Sequence, residues 1–191
     1  NNGYYKLNTT GATNPSTGEK YSAYQMLFLA DNNETSAKYE AILPVLNDGV
    51  TTSSYGGMNF LILSTYAATM DADIPSGTDC SWGKCTRVRG TLLDKFFSGD
   101  APQTNSIAEM TAAAQDDRAL FYGAGYSHRI ADETDANAGF GCVKFRNVRS
   151  DGQPNQVINF VNTDLFLMRV AEAYLTYAEA STRINGTNAD A

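Results

Sequence analysis

The segment from Asp164 to Arg183 constrains the fold of this chain more than any other part of its sequence. Apolar residues recur there at steps of three and four, which predicts one face of an α-helix formed by Leu165, Met168, Ala171, Leu175 and Ala178. Asp164 is a favourable N-cap for such a helix. Glu179 and Arg183 form an i,i+4 pair, and the following Asn-Gly dipeptide supplies a stop signal.

Small side chains on this helix indicate what packs against it. Alanine occupies positions 171, 173, 178 and 180, so a second helix can approach closely, as in stacked helical hairpins. We also expect Arg169 and Glu172, three residues apart, to form an ion pair.

Shorter elements are predicted in the remaining chain. Tyr21–Ala30 is a near-continuous apolar run that suits either a helix or a buried strand, and Ser22 as an N-cap favours the helix. We expect Tyr39–Leu46 to form a strand. A capping box, Ser106 with a glutamate three residues later, precedes a helix over Ile107–Gln115. Another short helix is predicted from a Thr91 cap through Phe97.

Long polar segments separate these elements, and they include Asn8–Lys20, Asp71–Arg87 and Asp132–Gly141. Irregular connections of this length are unusual in a compact domain and often carry function. The sequence therefore predicts a mainly α fold with a few short strands. Residues 1–191 are expected to form one domain fragment, with a loop-rich binding region at 1–150 and a helical scaffold region at 151–191.

The negative net charge of the chain argues against polyanionic partners. The formal net charge is −7, the pI is about 4.6, and no run of Lys or Arg overrides this balance. Nucleic acids and anionic membrane surfaces are therefore not expected partners. Charged residues make up 18% of the chain, below the usual ~25%, and neutral polar residues take their place. That composition suits a neutral polar ligand such as a sugar, and it equally suits an ordinary loop-rich surface.

The sequence contains no familiar catalytic motif. A Gly-x-Ser-x-Gly elbow, an HExxH zinc motif and a phosphate-binding Gly-Lys-Ser/Thr loop are all absent, and His128 is the only histidine. Twenty-one acidic residues leave a glycosidase-like carboxylate pair open. We predict no catalytic residues, no cofactor and no metal site. Cys80 and Cys85 could be bridged or could be free thiols.

The helical segment reads D-x-x-x-x-R-x-A-E-x-Y-L-x-x-A-E-A and closely resembles a signature of the SusD/RagB family. Four other regions resemble family segments in the same order, so the resemblance extends over most of the chain. These regions are Tyr39–Val45, Tyr55–Phe60, Trp82–Arg89, and Asp117-Arg118 with Lys144–Asn147.

This resemblance implies a tetratricopeptide-like helical scaffold with a loop-rich ligand-binding face. It also implies a lipoprotein on the extracellular face of an outer membrane, which captures nutrient glycans without catalysis. Delivery to a SusC-like, TonB-dependent transporter follows from the same resemblance. Family members are longer, so the chain is expected to be an internal to C-terminal fragment. Membrane attachment is then expected only through a lipid anchor that this chain does not contain.

Two other roles stay open within the family. One is peptide capture, as in the RagB branch, which predicts a deep cleft that offers backbone hydrogen bonds. The other is a transporter-docking subunit with minor ligand contacts, which predicts a large exposed apolar patch away from Trp82.

Sugar recognition needs aromatic faces for pyranose rings and polar groups for their hydroxyls. Trp82, the only tryptophan, lies in a turn-rich loop, although a lone tryptophan is as readily part of a core. Tyr55 precedes two glycines, where a ligand can approach the backbone, and its alternative role is a buried turn anchor. Asn59 and Tyr66 complete the predicted ligand-binding set.

Overall fold

The computed structural model describes residues 3–186 as helices and short strands joined by long irregular segments. Its five α-helices are α1 (Met58–Leu63), α2 (Ala68–Asp73), α3 (Gly90–Leu93), α4 (Ile107–Ala114) and α5 (Val170–Asn185). Two 3-10 helices span Gln25–Phe28 and Ser36–Glu40. This composition is compatible with a mainly helical fold. Within residues 3–186, no helix has both the length and the apolar character needed to cross a bilayer.

Six short strands form three antiparallel pairs. Strand β1 (Ala12–Thr13) pairs with β2 (Lys20–Tyr21), and β4 (Phe121–Tyr122) pairs with β5 (Gly141–Cys142). The longest pair joins β3 (Ala41–Val45) to β6 (Leu165–Arg169), which are distant in sequence. The strand predicted over Tyr39–Leu46 is thus confirmed as β3.

The predicted helix from Asp164 is wrong over its first turn and a half. Residues 165–169 form β6 instead, and the helix begins at Val170 after an extended Arg169. Asp164 does not cap the helix: its carboxylate accepts the backbone N–H of Asn47 at 2.7 Å. Pairing with β3 offers these residues a hydrogen-bonded ladder, and this long-range partner is not visible in the local periodicity.

The rest of the helix follows the prediction more closely. Arg183 donates two hydrogen bonds to Glu179, and α5 ends at Asn185 before Gly186, which has a positive φ. Arg169 differs, because its ion pair is with Glu40 at 3.0 Å rather than with Glu172.

The capping box is only half formed. The backbone N–H of Glu109 donates to Ser106 Oγ and begins α4, as predicted. The Glu109 carboxylate accepts from the hydroxyl of Thr104, and that same hydroxyl accepts the N–H of Ser106. The Thr104 hydroxyl therefore lies between the Glu109 carboxylate and the N–H of Ser106, which would be bonded directly in a complete capping box.

Two other helix predictions need correction. The helix expected to begin after Thr91 begins at Gly90, so Thr91 lies inside it and is no cap. The segment Tyr21–Ala30 forms only one 3-10 turn, although Ser22 Oγ does accept the N–H of Gln25 as expected. Seven of the ten residues in this segment are buried, and this burial rather than helical periodicity explains its apolar composition.

Two hydrophobic clusters form the interior. The larger is built from α1–α4, β4 and adjoining loops, and its buried members include Met58, Ile62, Met70, Leu93, Met110 and Phe121. The smaller one lies around the first 3-10 helix and includes Tyr21, Met26, Leu27 and Leu29. Tyr24 and Phe145 pack against both clusters, which connects them.

A buried arginine joins the segments that surround these clusters. Arg146 is 2% exposed, and its guanidinium donates to both carboxylate oxygens of Glu19, at 2.6 and 3.2 Å, and to the carbonyl of Pro75 at 2.8 Å. Its backbone N–H donates to Phe28, and its carbonyl accepts from the hydroxyl of Thr163. One residue thus holds the β1–β2 hairpin, the first 3-10 helix and the segment before β6.

Replacing Glu19 with Gln should therefore destabilise the fold, because it leaves a buried guanidinium without its counter-charge. We expect a loss of about 3 kcal/mol, the lower end for buried pairs, since Glu19 is itself about a third exposed. Urea unfolding measures the change. The matched control is Glu179→Gln, which breaks an exposed pair on α5 and should cost less than about 0.5 kcal/mol. Equal losses in the two variants would contradict the role assigned to Arg146.

Candidate aromatic binding surface

Four aromatic side chains, one on α1 and three beside it, form two pairs; we call them the aromatic strip (Tyr55, Phe60, Trp82 and Phe160). Trp82 and Phe60 meet edge to face, with ring centroids 5.8 Å apart. Trp82 is 37% exposed and Phe60 46% exposed. Trp82 therefore lies at the surface, and Phe60 supplies a second ring beside it.

The backbone around Trp82 is fixed against the end of α1. The N–H of Trp82 donates to the carbonyl of Leu63, and Lys84 and Thr86 donate in the same way to Tyr66 and Ser64. Lys84 lies in the left-handed region at φ 56, directly after Gly83 at φ 67. A loop with these repeated contacts holds its aromatic side chain in place before any ligand arrives, which lowers the entropic cost of binding.

The Lys84 side chain adds a second attachment for this loop. Its ammonium is buried, donates to the carbonyl of Gly139 at 2.7 Å, and lies 3.7 Å from the ring centre of Tyr126. Burial, aided by the neighbouring positive charge of Arg87, lowers the pKa of Lys84 to about 8. The loop that carries Trp82 is therefore tied to the 126–139 region by a charged group in an apolar setting.

The second aromatic pair lies beside the start of α1. Tyr55 is 55% exposed, and its ring lies 5.2 Å from that of the half-buried Phe160. Asn59 fixes the segment that carries Phe160, because its amide donates to the carbonyl of Asn159 and its Oδ1 accepts the N–H of Val161. The two pairs lie towards opposite ends of α1, a helix of six residues that is about 9 Å long.

Two residues of the predicted ligand-binding set are buried. Asn59 is 2% exposed with both amide groups engaged, and Tyr66 is fully buried in the larger hydrophobic cluster. Within the described residues the Tyr66 hydroxyl has no hydrogen-bond partner, and burial raises its pKa. Both residues support the segments that carry the aromatic strip, and the ligand contacts of Trp82 and Tyr55 stay predictions.

Sequence reasoning missed Phe60 and Phe160. Phe60 lies in the run Phe-Leu-Ile-Leu, which is typical of a core strand or helix, and only the helical phase of α1 places it outside while Ile62 and Leu63 are buried. Phe160 is brought to the site by contacts across about a hundred residues, which no local pattern reveals.

Other candidates from the sequence have structural roles here. His128 accepts the N–H of Ala101 at Nδ1, which leaves Nε2 to donate to Asp94, so both ring nitrogens are engaged. Arg118 is exposed and pairs with Asp116 rather than with Asp117. The two cysteines whose pairing was left open, at positions 80 and 85, are free thiols and both are exposed.

The geometry is that of a shallow, partly apolar surface. Exposed aromatic faces of this kind can stack on the C–H faces of sugar rings. Deeper concave surfaces lie elsewhere on the molecule, including one of about 740 Å³ between the β1–β2 hairpin and α4.

Comparison with known proteins identifies the family to which the chain belongs. The model of the SusD family matches residues 89–191, which is more than half of the chain. The chain therefore belongs to the SusD family, as its helical signature indicated.

A characterised relative extends the match to nearly the whole chain. The starch-binding protein SusD of Bacteroides thetaiotaomicron is 36% identical over 221 aligned positions, which cover 93% of this chain and 39% of that protein. The chain thus spans about two fifths of the length of this relative.

Loss of the Asn59 amide should loosen the support of Phe160. In an Asn59→Ala variant, the N–H of Val161 and the carbonyl of Asn159 lose their partner, at an expected cost of about 1–3 kcal/mol. Hydrogen exchange should show faster exchange at Val161 than in the parent protein, while amides of α4 are unchanged. Unaltered exchange at Val161 would contradict this support.

Lys84 should also make stability depend on pH in a defined window. Its pKa is about 8 in the fold and about 10.4 in an unfolded chain, so the unfolded state binds more protons between these values. The stability of the parent protein relative to Lys84→Met should therefore rise from about pH 8 to about pH 10.4. Paired urea titrations measure this difference, which cancels other titrating groups. A flat or falling difference would show that the ammonium is not desolvated.

Proposed function

We propose that this protein is a non-catalytic binder of nutrient glycans, and that the aromatic strip is its ligand surface. The observation that carries the proposal is the exposed Phe60–Trp82 pair, held on a fixed backbone in a member of the SusD family. The relative named as a starch-binding protein supports a polysaccharide or oligosaccharide as the ligand class.

Binding would proceed by stacking. One pyranose ring lies against Trp82, and Tyr55 contacts a neighbouring sugar residue along the same chain. The surface changes little on binding because both pairs are already held by backbone contacts to α1 and to residues 159–161. Affinity arises from ring contacts rather than from an enclosed pocket, so it is modest at a single site.

We further propose that the family scaffold explains the exposed apolar side chains on β3, β6 and α5. These include Leu43, Val45, Leu167, Met168, Leu175 and Tyr177. A surface of this kind packs against further protein. Additional helices of a tetratricopeptide-like scaffold would cover it, with residues 1–150 as the loop-rich binding region and 151–191 as part of the scaffold in a single domain.

The setting of the binder is proposed on family membership. It is a lipid-anchored protein on the extracellular face of the outer membrane, and it delivers glycans to a SusC-like, TonB-dependent transporter. A large exposed apolar patch away from Trp82 is also expected of a subunit that mainly docks onto the transporter. We assign the exposed apolar side chains of β3, β6 and α5 to packing within the scaffold instead. The starch-binding relative favours a glycan over a peptide as the ligand.

Intrinsic fluorescence tests the ligand surface. The full-length protein is titrated with starch oligosaccharides, other neutral glycans and peptides, because Trp82 should respond when a ring stacks on it. Trp82→Ala should lower affinity for the recognised glycan at least about tenfold while the unfolding curve stays cooperative.

Two controls sharpen this test. Trp82→Phe retains a ring and should keep most of the affinity. Leu175→Ala shortens a side chain on the α5 surface that we assign to scaffold packing, so it should leave the affinity for the glycan unchanged. Glycan binding that survives Trp82→Ala unchanged would place the site elsewhere, and a response to peptides alone would contradict the glycan assignment.

A further inference from the structure

A concave surface rich in arginine lies next to the segment that carries Trp82. It has a volume of about 640 Å³, and three guanidinium groups line it, those of Arg87, Arg89 and Arg129. Glu133 also lines it and is the acidic residue of this surface. Such a concentration of positive charge is unexpected in a chain whose formal net charge is −7.

Two of these arginines project from one extended segment. Val88 between them is buried and bridges to Phe140, and side chains alternate along extended backbone. Arg87 and Arg89 therefore point away from the core together. Arg129 comes from a distant segment and packs against Gly90, where a Cβ atom would lie 2.8 Å from Arg129 Cδ.

The three guanidinium groups differ in how they are neutralised. Arg129 donates to both carboxylate oxygens of Asp94, at 2.6 and 2.7 Å. Arg87 donates only to backbone carbonyls, those of residues 133, 135 and 138. Arg89 is exposed, and no described residue accepts a hydrogen bond from its side chain. Two positive charges are thus without a carboxylate partner within residues 3–186.

The carbonyl contacts of Arg87 make this surface rigid on one side. They hold the loop at 133–138 against the extended segment, and Lys84 holds the same loop through Gly139. Guanidinium groups with fixed planes and free N–H donors match the oxygens of a carboxylate or a sulfate, and such charge-assisted bonds are stronger than neutral ones.

We propose that this surface binds an anionic group, a carboxylate or a sulfate ester, carried by the glycan that stacks on Trp82. The inference rests on the proposed function and narrows its substrate class to acidic saccharides. Four residues lie between Trp82 and Arg87, so the five steps of chain limit the distance between their Cα atoms to about 18 Å. A short oligosaccharide therefore reaches both surfaces at once.

Matched pairs of charged and neutral ligands test the inference by calorimetry on the full-length protein. One pair is oligogalacturonate and its methyl ester, and the other is dextran sulfate and dextran. The charged member of at least one pair should bind about tenfold more tightly than its neutral counterpart. The pair that shows the preference distinguishes carboxylate from sulfate, and the preference should weaken as salt is raised.

Three variants assign the preference to this surface. Arg89→Gln breaks no described contact, so it should remove the preference without unfolding the protein. Glu133→Gln removes the nearby negative charge and should strengthen the preference. Arg183→Gln makes the same change of charge as Arg89→Gln on distant α5 and should leave the preference intact.

The outcomes separate the two claims. Equal binding of charged and neutral members, lost in Trp82→Ala, would overturn the anionic subsite and leave the glycan binder standing. A preference that persists in Arg89→Gln would also overturn it. No binding of any glycan would overturn both claims.

Discussion

The structure depends on one buried cation. Arg146 lies at the junction of segments that are far apart in sequence, and its charge is matched by Glu19, so the hairpin at the start of the chain is fixed to a residue more than a hundred positions later. Burial of a guanidinium is costly unless its N–H donors are paired. The contact is therefore favourable only when all the segments that supply the partners of Arg146 are in place. A chain with short strands, short helices and long irregular connections has few extended hydrogen-bonded ladders to specify its topology. Polar contacts between loops take over that task here.

The same set of contacts extends to the candidate ligand surface. Asn147, the residue after Arg146, accepts the N–H of Asn162, and Asn59 accepts that of Val161. Through these amides the segment with Phe160 is fixed to α1, next to Tyr55. At the other end of α1, the Trp82 loop is fixed by backbone bonds and by the buried ammonium of Lys84. The polar interior and the exposed rings are therefore parts of one arrangement, in which buried amides and cations hold aromatic groups in an exposed position.

Local features of the sequence predicted local structure well. The Ser106 cap, the strand at 41–45 and the end of α5 all follow from patterns of a few residues. The sequence predicts helix where β6 forms, because the partner strand β3 lies over a hundred residues away and the apolar spacing of β6 suits both structures.

The candidate site was predictable only in part. The turn-rich loop around Trp82 suits an exposed ring, whereas the burial of Asn59 and Tyr66 depends on packing that sequence spacing does not encode. The sequence places Arg87 and Arg89 close to each other, but only the tertiary structure brings Arg129 next to them.

The central claim is that exposed aromatic rings beside α1 bind a sugar chain. A crystal structure of the full-length protein with a bound oligosaccharide tests this most directly, because it locates the ligand without assumptions about signal or affinity. We expect a pyranose ring parallel to the Trp82 indole, with carbon atoms within about 4 Å of it, and a neighbouring sugar residue near Tyr55. An oligosaccharide bound in the groove between the β1–β2 hairpin and α4, with Trp82 uncovered, would contradict it.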